Sequence, residues 1–291
     1  MPMASKSVAH RRSAVSVGEV VTAIGSHGVM IVVCICAILP FVWMAFGSFK
    51  TVKEITSIRN PSYWWPREPT LLAYDQILYR AGFPDAIRNS TLVAVPNTLM
   101  VCFTSAAMGY VFSKYRFPGR DLIFTALLST MMVPFAVVML PLYVTLHDFG
   151  LLNSLWALIV LGVCSTFGIF LMRQSMEGIP NDYIDAARID GASEWWIFAS
   201  VIVPLARAPL SALAIFTFLG SWDNFMFPSI IITDMRWQTL PIFLVGLKDL
   251  WNVRYNIYCA GSMLTVIPMM IVYSVLQRHF IRGLTMTGLK G

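Results

Sequence analysis

The segment PNDYIDAARIDGASEWWIFASVIVPLARAP, at residues 180–209, decides how the rest of the chain is interpreted. It carries more acidic than basic side chains, whereas the whole chain has a formal net charge of +6. Long apolar stretches lie on both sides of it. Charged side chains are costly in lipid, so the segment should lie outside a membrane that its neighbours cross. Its acidic and small side chains favour a surface for a protein partner over a lipid-facing structure.

Local signals within this segment predict two short helices joined by a tight turn. Asn181 is a good N-cap for the first helix, and Gly191 supplies a backbone conformation that other residues resist. Ser193 can cap the second helix. Apolar side chains on one face of the second helix, a proline at its end and a proline before the next apolar stretch complete the pattern: Trp195, Phe198, Ile202, Pro204 and Pro209.

The composition indicates that the natural solvent of the chain is lipid. Hydrophobic residues make up 57% and charged residues 12% of the 291 residues, and the mean hydropathy is +0.69. A soluble domain normally carries about 25% charged residues, so these few charges cannot cover a water-facing surface. Membrane proteins collect Lys and Arg on cytoplasmic loops. The basic balance therefore needs no nucleic-acid partner, and no basic run interleaved with aromatic residues is present.

These observations predict an all-α, polytopic membrane protein with about six transmembrane helices. Each span needs about 20 apolar residues to cross about 30 Å of hydrocarbon. Each must be helical because unpaired backbone groups in lipid cost several kcal/mol apiece. The predicted spans run roughly over residues 27–49, 89–113, 122–146, 153–172, 210–232 and 257–281. Prolines inside them predict kinks that a helix bundle tolerates: Pro40, Pro96, Pro134, Pro141, Pro228 and Pro268.

The predicted spans divide the chain into three parts. Residues 1–26 form an N-terminal segment, residues 27–282 the transmembrane domain with a loop at 174–209, and residues 283–291 a C-terminal tail. The first apolar stretch is about twenty residues long and lacks a small-residue cleavage site. An uncleaved first span is therefore favoured over a signal peptide.

The distribution of basic residues predicts the orientation of the chain. The connection between the second and third spans carries Lys114, Arg116 and Arg120, whereas residues 147–153 carry no Lys or Arg. By the positive-inside rule the first of these connections is cytoplasmic and the second external. With six spans, both termini and the acidic loop are then cytoplasmic.

Neither a metal site nor a catalytic site is predicted. The five cysteines lie in or beside apolar runs without a Cys-x-x-Cys pair, and the four histidines are scattered. No H-E-x-x-H or Ser/His/Asp arrangement lies at a suitable depth. The chain also lacks a G-x-x-x-x-G-K-[ST] loop, so it cannot hydrolyse ATP itself.

The acidic segment resembles the EAA loop of ABC importer permeases. The family pattern is E-A-A, two residues, D-G-A, and then a spaced Phe, Ile, Pro and Pro; this chain has Asp185 in place of the glutamate. The resemblance implies a type I importer permease fold in which this loop is a coupling helix docked on an ATP-binding subunit. The residues that it implies for that joint are Asp185, Ala186, Ala187, Asp190, Gly191 and Ala192.

Other stretches are similar to the carbohydrate-uptake branch, related to the maltose permeases. They include Trp65-Pro66, Phe117-Pro118-Gly119-Arg120 and Pro141-Leu142-Tyr143, and the tail resembles the ending of the second permease subunit in that branch. The resemblance implies that Gly288, Lys290 and Gly291 reach between the ATPase subunits. It also implies that a loop within residues 233–256 enters the sugar cleft of a binding protein. Trp251 and Asn252 are the candidates there, although membrane anchoring explains the tryptophan equally well.

Candidates for the substrate path lie in the fifth and second spans. Trp222, Asp223 and Asn224 combine an aromatic face with carboxylate and amide groups, which match the hydroxyls and ring faces of a sugar. Buried acids in membranes face a cavity or a partner, so contact with a second permease explains these residues equally well. Asn89 and Ser90 are further candidates, for which capping of the second span is the alternative.

The resulting hypothesis is a permease subunit of an ATP-driven sugar importer in a bacterial or archaeal plasma membrane. The expected partners are a second, different permease, two ATP-binding subunits that hold ATP and magnesium, an external sugar-binding protein and membrane lipid. The alternatives are a secondary transporter or channel working alone, and an intramembrane enzyme. A secondary transporter predicts matched repeats and a cluster of buried acids, neither of which is visible.

Overall fold

The protein is described by a computed structural model over residues 17–57, 64–79, 82–250 and 254–287. Within these ranges every regular element is helical, which confirms the predicted all-α fold. The helices of the first half are α1 (Val17–Ser48), α2 (Val52–Thr56), α3 (Leu72–Tyr79), α4 (Phe83–Lys114), α5 (Arg120–Thr130), α6 (Phe135–Asp148), α7 (Leu155–Leu161) and α8 (Thr166–Glu177). Those of the second half are α9 (Asp182–Ile189), α10 (Glu194–Ile197), a π-helical turn (Phe198–Ile202), α11 (Val203–Leu205), α12 (Arg207–Trp222), α13 (Met226–Ile231), a 3₁₀ turn (Met235–Trp237), α14 (Leu240–Leu250) and α15 (Tyr255–Thr287).

The described residues form 5 segments that are long and apolar enough to cross a membrane, and a bent pair of helices makes a sixth. This agrees with the prediction of about six spans. The 5 segments are Thr22–Ser48, Phe83–Lys114, Leu155–Glu177, Arg207–Ile231 and Tyr255–Arg278.

The predicted continuous span 122–146 is wrong in detail, because α5 and α6 meet at 95°. Pro134 occupies the N-cap position of α6 with an extended backbone, at φ −60° and ψ 136°. A proline has no N–H for the preceding helix and disfavours helical geometry in the residue before it. The chain therefore turns at Pro134 instead of kinking within one helix.

Other predicted boundaries also move. The fourth span continues to Glu177, so the loop predicted from residue 174 begins inside a helix. The next span begins at Arg207 with Pro209 in its first turn, where a missing N–H costs nothing. The predicted external loop 233–256 contains α14, and α1 begins ahead of the predicted start at residue 27.

The centre of the bundle is α4, which packs closely against α8 through glycines. A Cβ placed on Gly109 would lie 2.6 Å from the Cβ of Met172 and 2.9 Å from the backbone nitrogen of Arg173. On the facing helix, Gly168 lies against the hydroxyl of Ser105. Small residues allow backbones in membranes to approach and gain van der Waals contact. These glycines therefore bring α8, and the loop that follows it, against the C-terminal half of α4.

Candidate functional site

The acidic loop is built around a Schellman turn at the end of α9. The N–H of Ala192 donates to the carbonyl of Ala187 at 3.0 Å, and the N–H of Gly191 donates to that of Arg188 at 3.0 Å. Gly191 has φ +80°, the left-handed conformation that this turn requires and that glycine adopts without steric cost. The predicted break at Gly191 is confirmed. One backbone hydrogen bond thus joins Ala187 of the E-A-A pattern to Ala192 of the D-G-A pattern.

The N-terminus of α9 differs from the prediction. Asn181 occupies the N-cap position but has helical backbone angles, and its side chain makes no capping hydrogen bond. Its backbone carbonyl accepts from the N–H groups of Ile184 at 2.8 Å and Asp185 at 2.9 Å. A side-chain cap requires an extended backbone at this residue, so the predicted cap is wrong although the helix begins where expected.

Helix α9 has one face against the bundle and one face open. Ile184 and Ala187 are buried among side chains of α4, α8 and α10. The opposite side, here called the outer face of α9, is exposed and consists of Tyr183, Asp185, Ala186, Ile189 and Asp190. Ile189 is 86% exposed and Tyr183 53% exposed. Large uncovered apolar side chains beside carboxylates are typical of a surface that binds a protein.

The predicted docking residues therefore separate into two groups. Asp185, Ala186, Asp190 and Gly191 are exposed. Ala187 is buried and Ala192 is half-buried. Ile189 is not among the predicted docking residues, although its position on the same helical face as Asp185 and Ala186 follows from the 3.6-residue period.

A polar network fastens the loop to the end of α4. The Nε of Arg188 donates to Glu194 at 2.8 Å, and another guanidinium nitrogen lies 3.5 Å from Asp185. The other carboxylate oxygen of Glu194 accepts from the hydroxyls of Tyr115 and Tyr110. The hydrogen bond from Arg188 and, as the second-largest cause, that from Tyr115 lower the pKa of Glu194. Burial raises the pKa of Tyr115. Loop and bundle are therefore joined through one carboxylate.

The second helix of the loop follows the prediction in part. The hydroxyl of Ser193 accepts from the N–H of Trp196 at 3.3 Å, which confirms the predicted cap. Phe198 and Ile202 are buried, but Trp195 is 67% exposed and stacks on Phe103 at 6.4 Å. The helix does not end at Pro204, because a π-helical turn precedes that proline and the helix continues to Leu205.

A cavity of about 480 Å³ lies inside the bundle where two spans are interrupted. One interruption separates α7 from α8, and the other separates α12 from α13. Its polar lining consists of hydroxyl and amide groups, and none of the described residues that line it is charged. Irregular backbone at membrane depth is tolerated where it lines a cavity. The polar lining residues are Ser90, Asn97, Ser165, Thr217, Ser221, Asn224 and Thr239.

Asn97 is the most constrained polar residue of this cavity. Its Nδ2 lies 3.4 Å from the carbonyl of Leu158 and 3.4 Å from the hydroxyl of Ser221. Its Oδ1 is buried without a hydrogen-bond partner among the described residues, as is the hydroxyl of Thr239. A buried polar atom without a partner costs free energy. These oxygens are therefore available to a hydroxyl-bearing ligand or to water.

The predicted substrate-path residues do not all reach this cavity. Asn224 lines it, and Asp223 is exposed beside it at the interruption. Trp222 is 1% exposed in the helical core and donates its Nε1–H to the carbonyl of Thr265 at 3.2 Å. Asn97 and Thr217 were missed, although an amide within an apolar span is itself a signal of function.

Asn89 and Ser90 fasten the segment 236–240 to α4. The Nδ2 of Asn89, 1% exposed, donates to the carbonyls of Arg236 at 2.8 Å and Gln238 at 3.0 Å. The hydroxyl of Ser90 accepts from the N–H of Leu240 at 2.7 Å. Capping of the second span is wrong as an explanation for either residue, because α4 already begins at Phe83.

The remaining predicted site residues lie outside the described ranges. They are Trp251 and Asn252 in the loop predicted to be external, and Gly288, Lys290 and Gly291 in the tail. Among the described residues, no group of three or more His, Cys, Asp or Glu side chains could hold a metal ion.

Apolar spans around a central cavity, with an exposed surface of the kind that binds a protein, are typical of an integral membrane transport subunit. Residues 90–286 match the family described as binding-protein-dependent transport system inner membrane component, and the chain belongs to this family. The predicted recognition of an ABC importer permease is thereby confirmed, and so is its place in an inner membrane as a multi-pass protein.

Two curated relatives extend the comparison. The chain is 33% identical over 259 residues to the arabinooligosaccharides transport system permease protein AraQ of Halalkalibacterium halodurans, covering 88% of this chain and 92% of the relative. It is 30% identical over 261 residues to the lactose transport system permease protein LacG of Rhizobium radiobacter, covering 89% of this chain and 93% of the relative. Because such relatives are transport permeases, the prediction of a transport subunit and not an enzyme is confirmed.

A solved structure supports the same fold. A bacterial ABC transporter involved in the import of the acidic polysaccharide alginate contains a chain that superposes with a TM-score of 0.80 at 22% identity. The superposition covers 91% of this chain and 98% of that chain. The arrangement of helices is therefore that of an ABC importer permease.

Proposed function

We propose that this chain is one of two permease subunits of an ATP-driven sugar importer and forms half of its translocation pathway. The observation that carries the proposal is the uncharged cavity at the interruptions of two spans, lined by hydroxyl and amide groups. Such groups can exchange hydrogen bonds with sugar hydroxyls, while Phe135 and Phe227 in the same lining offer aromatic faces to a sugar ring.

The cavity lining also favours a neutral substrate over a charged one, and energy supplied by partner subunits over coupling to an ion gradient. A sugar phosphate would need a cation, and no Lys or Arg is among the described residues that line the cavity. A secondary transporter would need an ion-coupling acid at this depth, and the described part of the lining contains no Asp or Glu. The names of AraQ and LacG support oligosaccharides or disaccharides as the substrate class.

Energy enters, in this proposal, through the outer face of α9. ATP-binding subunits, which hold ATP and magnesium, close on each other and move the loop, and the loop transmits the movement to the bundle. The network of Arg188, Glu194 and Tyr115 supports this role because it fastens α9 to α4, whose other face lines the cavity.

The orientation and the remaining contacts are part of the same proposal. Both termini and the acidic loop lie in the cytoplasm, and an external binding protein delivers the sugar on the opposite side. Contact of Trp251 and Asn252 with the binding protein rests on the family resemblance, as does contact of Gly288, Lys290 and Gly291 with the ATP-binding subunits.

The test is uptake of labelled di- and oligosaccharides by vesicles that contain the complete transporter. Asn224→Ala should lower kcat/KM for the transported sugar about two- to tenfold, as expected for one lost hydrogen bond. Ser129→Ala is the matched control, since that exposed hydroxyl bonds only within its own helix, to the carbonyl of Ala126. Unchanged uptake by Asn224→Ala, with the ATPase subunits still bound, would contradict the assignment of the cavity.

A further inference from the structure

Two adjoining depressions lie at the end of α4 where the chain leaves the membrane. The first is an apolar groove of about 350 Å³ between α4 and α10. The second is a polar notch around the turn that leads into α5. Arg116 and Phe117 line both. The groove is further lined by Ala107, Tyr110, Val111, Tyr115, Glu194, Trp195 and Phe198, and the notch by Gly119, Arg120, Asp121 and Leu122.

The groove continues an uncovered apolar face of α4. Leu99 is 65% exposed, Phe103 55% and Val111 42%, and Trp195 from α10 stacks over Phe103. At 100° per residue Leu99 and Phe103 lie at least about 120° around α4 from Asn97, which lines the central cavity. Trp195 covers part of this apolar face, and the rest of it is exposed among the described residues. Because it lies along a membrane-spanning helix, hydrocarbon can occupy it.

The junction of the two depressions carries an unbalanced positive charge. Arg116 is exposed and forms no ion pair or hydrogen bond with any described residue. The two carboxylates nearby are already neutralised: Asp121 pairs with Arg120 at 3.0 Å and Arg173 at 3.6 Å, and Glu194 pairs with a guanidinium at 2.8 Å. A ligand at the junction therefore meets a cation at one end and an apolar groove at the other.

We propose that this composite site binds an anionic phospholipid of the adjacent leaflet. The phosphate contacts Arg116, and an acyl chain lies in the groove against Trp195 and continues along the apolar face over Phe103. Basic pockets at the membrane surface select anionic headgroups, and tryptophan is favoured at the same depth. The bound lipid would touch Tyr115 and Phe198, two residues that hold the acidic loop against α4.

The experiment compares phosphatidylglycerol with phosphatidylcholine on the complete purified transporter. Native mass spectrometry counts the lipids that remain after delipidation. We expect phosphatidylglycerol to be retained over phosphatidylcholine, and Arg116→Ala to reduce this preference about fivefold, the effect of one basic residue near a membrane surface. Arg116→Lys should keep the preference. Arg88→Ala is the matched control, since Arg88 is also exposed on α4 but is paired with Asp85 at 3.4 Å.

A second measurement locates the acyl chain. A brominated lipid quenches the fluorescence of tryptophans that it touches, and we expect brominated phosphatidylglycerol to quench the wild type more than brominated phosphatidylcholine does. Trp195→Phe should remove this difference in quenching. Trp196→Phe should retain it, because Trp196 is 53% exposed but does not line the groove. Equal retention of both lipids by the wild type, an unchanged preference in Arg116→Ala, or a groove covered by a partner subunit in the assembled complex would overturn the proposal.

Discussion

Substitution of Gly191 separates backbone strain from partner docking. Gly191 has φ +80°, and a Cβ placed on it would meet no atom within 4 Å. Alanine and leucine at this position therefore incur the same local penalty, the cost of a left-handed conformation for an L-residue, about 1–2 kcal/mol. They differ in what projects from the turn, since leucine places a branched side chain on the surface proposed to bind the ATPase subunit.

The expected results follow from that difference. Gly191→Ala and Gly191→Leu should lower the melting temperature of the isolated chain by similar amounts, measured by thermal unfolding in detergent. Gly191→Ala should retain most of the co-purifying ATPase subunit and most of the sugar uptake. Gly191→Leu should lose both while the chain still inserts into the membrane.

Gly191→Asn is a useful control, because asparagine tolerates the left-handed region better than other residues with a side chain. It should be more stable than Gly191→Ala and should resemble it in partner binding. If Gly191→Leu and Gly191→Ala both retain the ATPase subunit, docking at this surface is refuted. Equal loss of the partner in both variants would instead show that strain in the turn, and not obstruction of a binding surface, governs coupling.

Three further predictions concern packing and polar contacts. Glu194→Gln should lower the melting temperature at neutral pH. Because Arg188 lowers the pKa of the Glu194 carboxyl, the stabilising effect of the carboxylate is present above the ordinary carboxyl pKa and is lost as pH falls through the lowered pKa. The melting temperatures of wild type and variant should therefore converge in acid. Gly109→Ala should destabilise the bundle by about 1–3 kcal/mol in denaturant unfolding, because the added Cβ would lie 2.9 Å from the backbone nitrogen of Arg173 in α8 and overpacking has this cost. Gly220→Ala should have no such effect in the same assay, because a Cβ at Gly220 would meet no described atom within 4 Å. Asn89→Ala should speed hydrogen exchange in the segment 236–240, because the carbonyls of Arg236 and Gln238 lose their donor at a cost of about 1–3 kcal/mol. Thr91→Ala should leave that exchange rate unchanged, because among the described residues the hydroxyl of Thr91 bonds to the carbonyl of Ile87 within α4.

The features that the sequence predicts well depend on composition or on neighbours a few positions away. A 12% charged fraction is incompatible with a water-exposed surface of this size, so the membrane fold follows from composition. The turn at Gly191 and the cap at Ser193 follow from hydrogen bonds that span no more than five residues. The EAA pattern is local in the same sense, which is why the amino-acid sequence by itself indicates the family of the chain.

Tertiary structure alone decided which polar side chains meet. Asn89 lies 147 residues from Arg236, whose carbonyl it binds, and Asn97 lies 124 residues from Ser221. Nothing in the sequence near either asparagine specifies these partners, because helix packing and the interruptions of two spans bring them together. The right-angle turn at Pro134 has the same origin, since a proline that interrupts a helix leaves the direction of the next helix to its packing. Backbone preference and hydrophobicity act over a few residues, whereas a cavity is the space that remains between helices once all of them have packed.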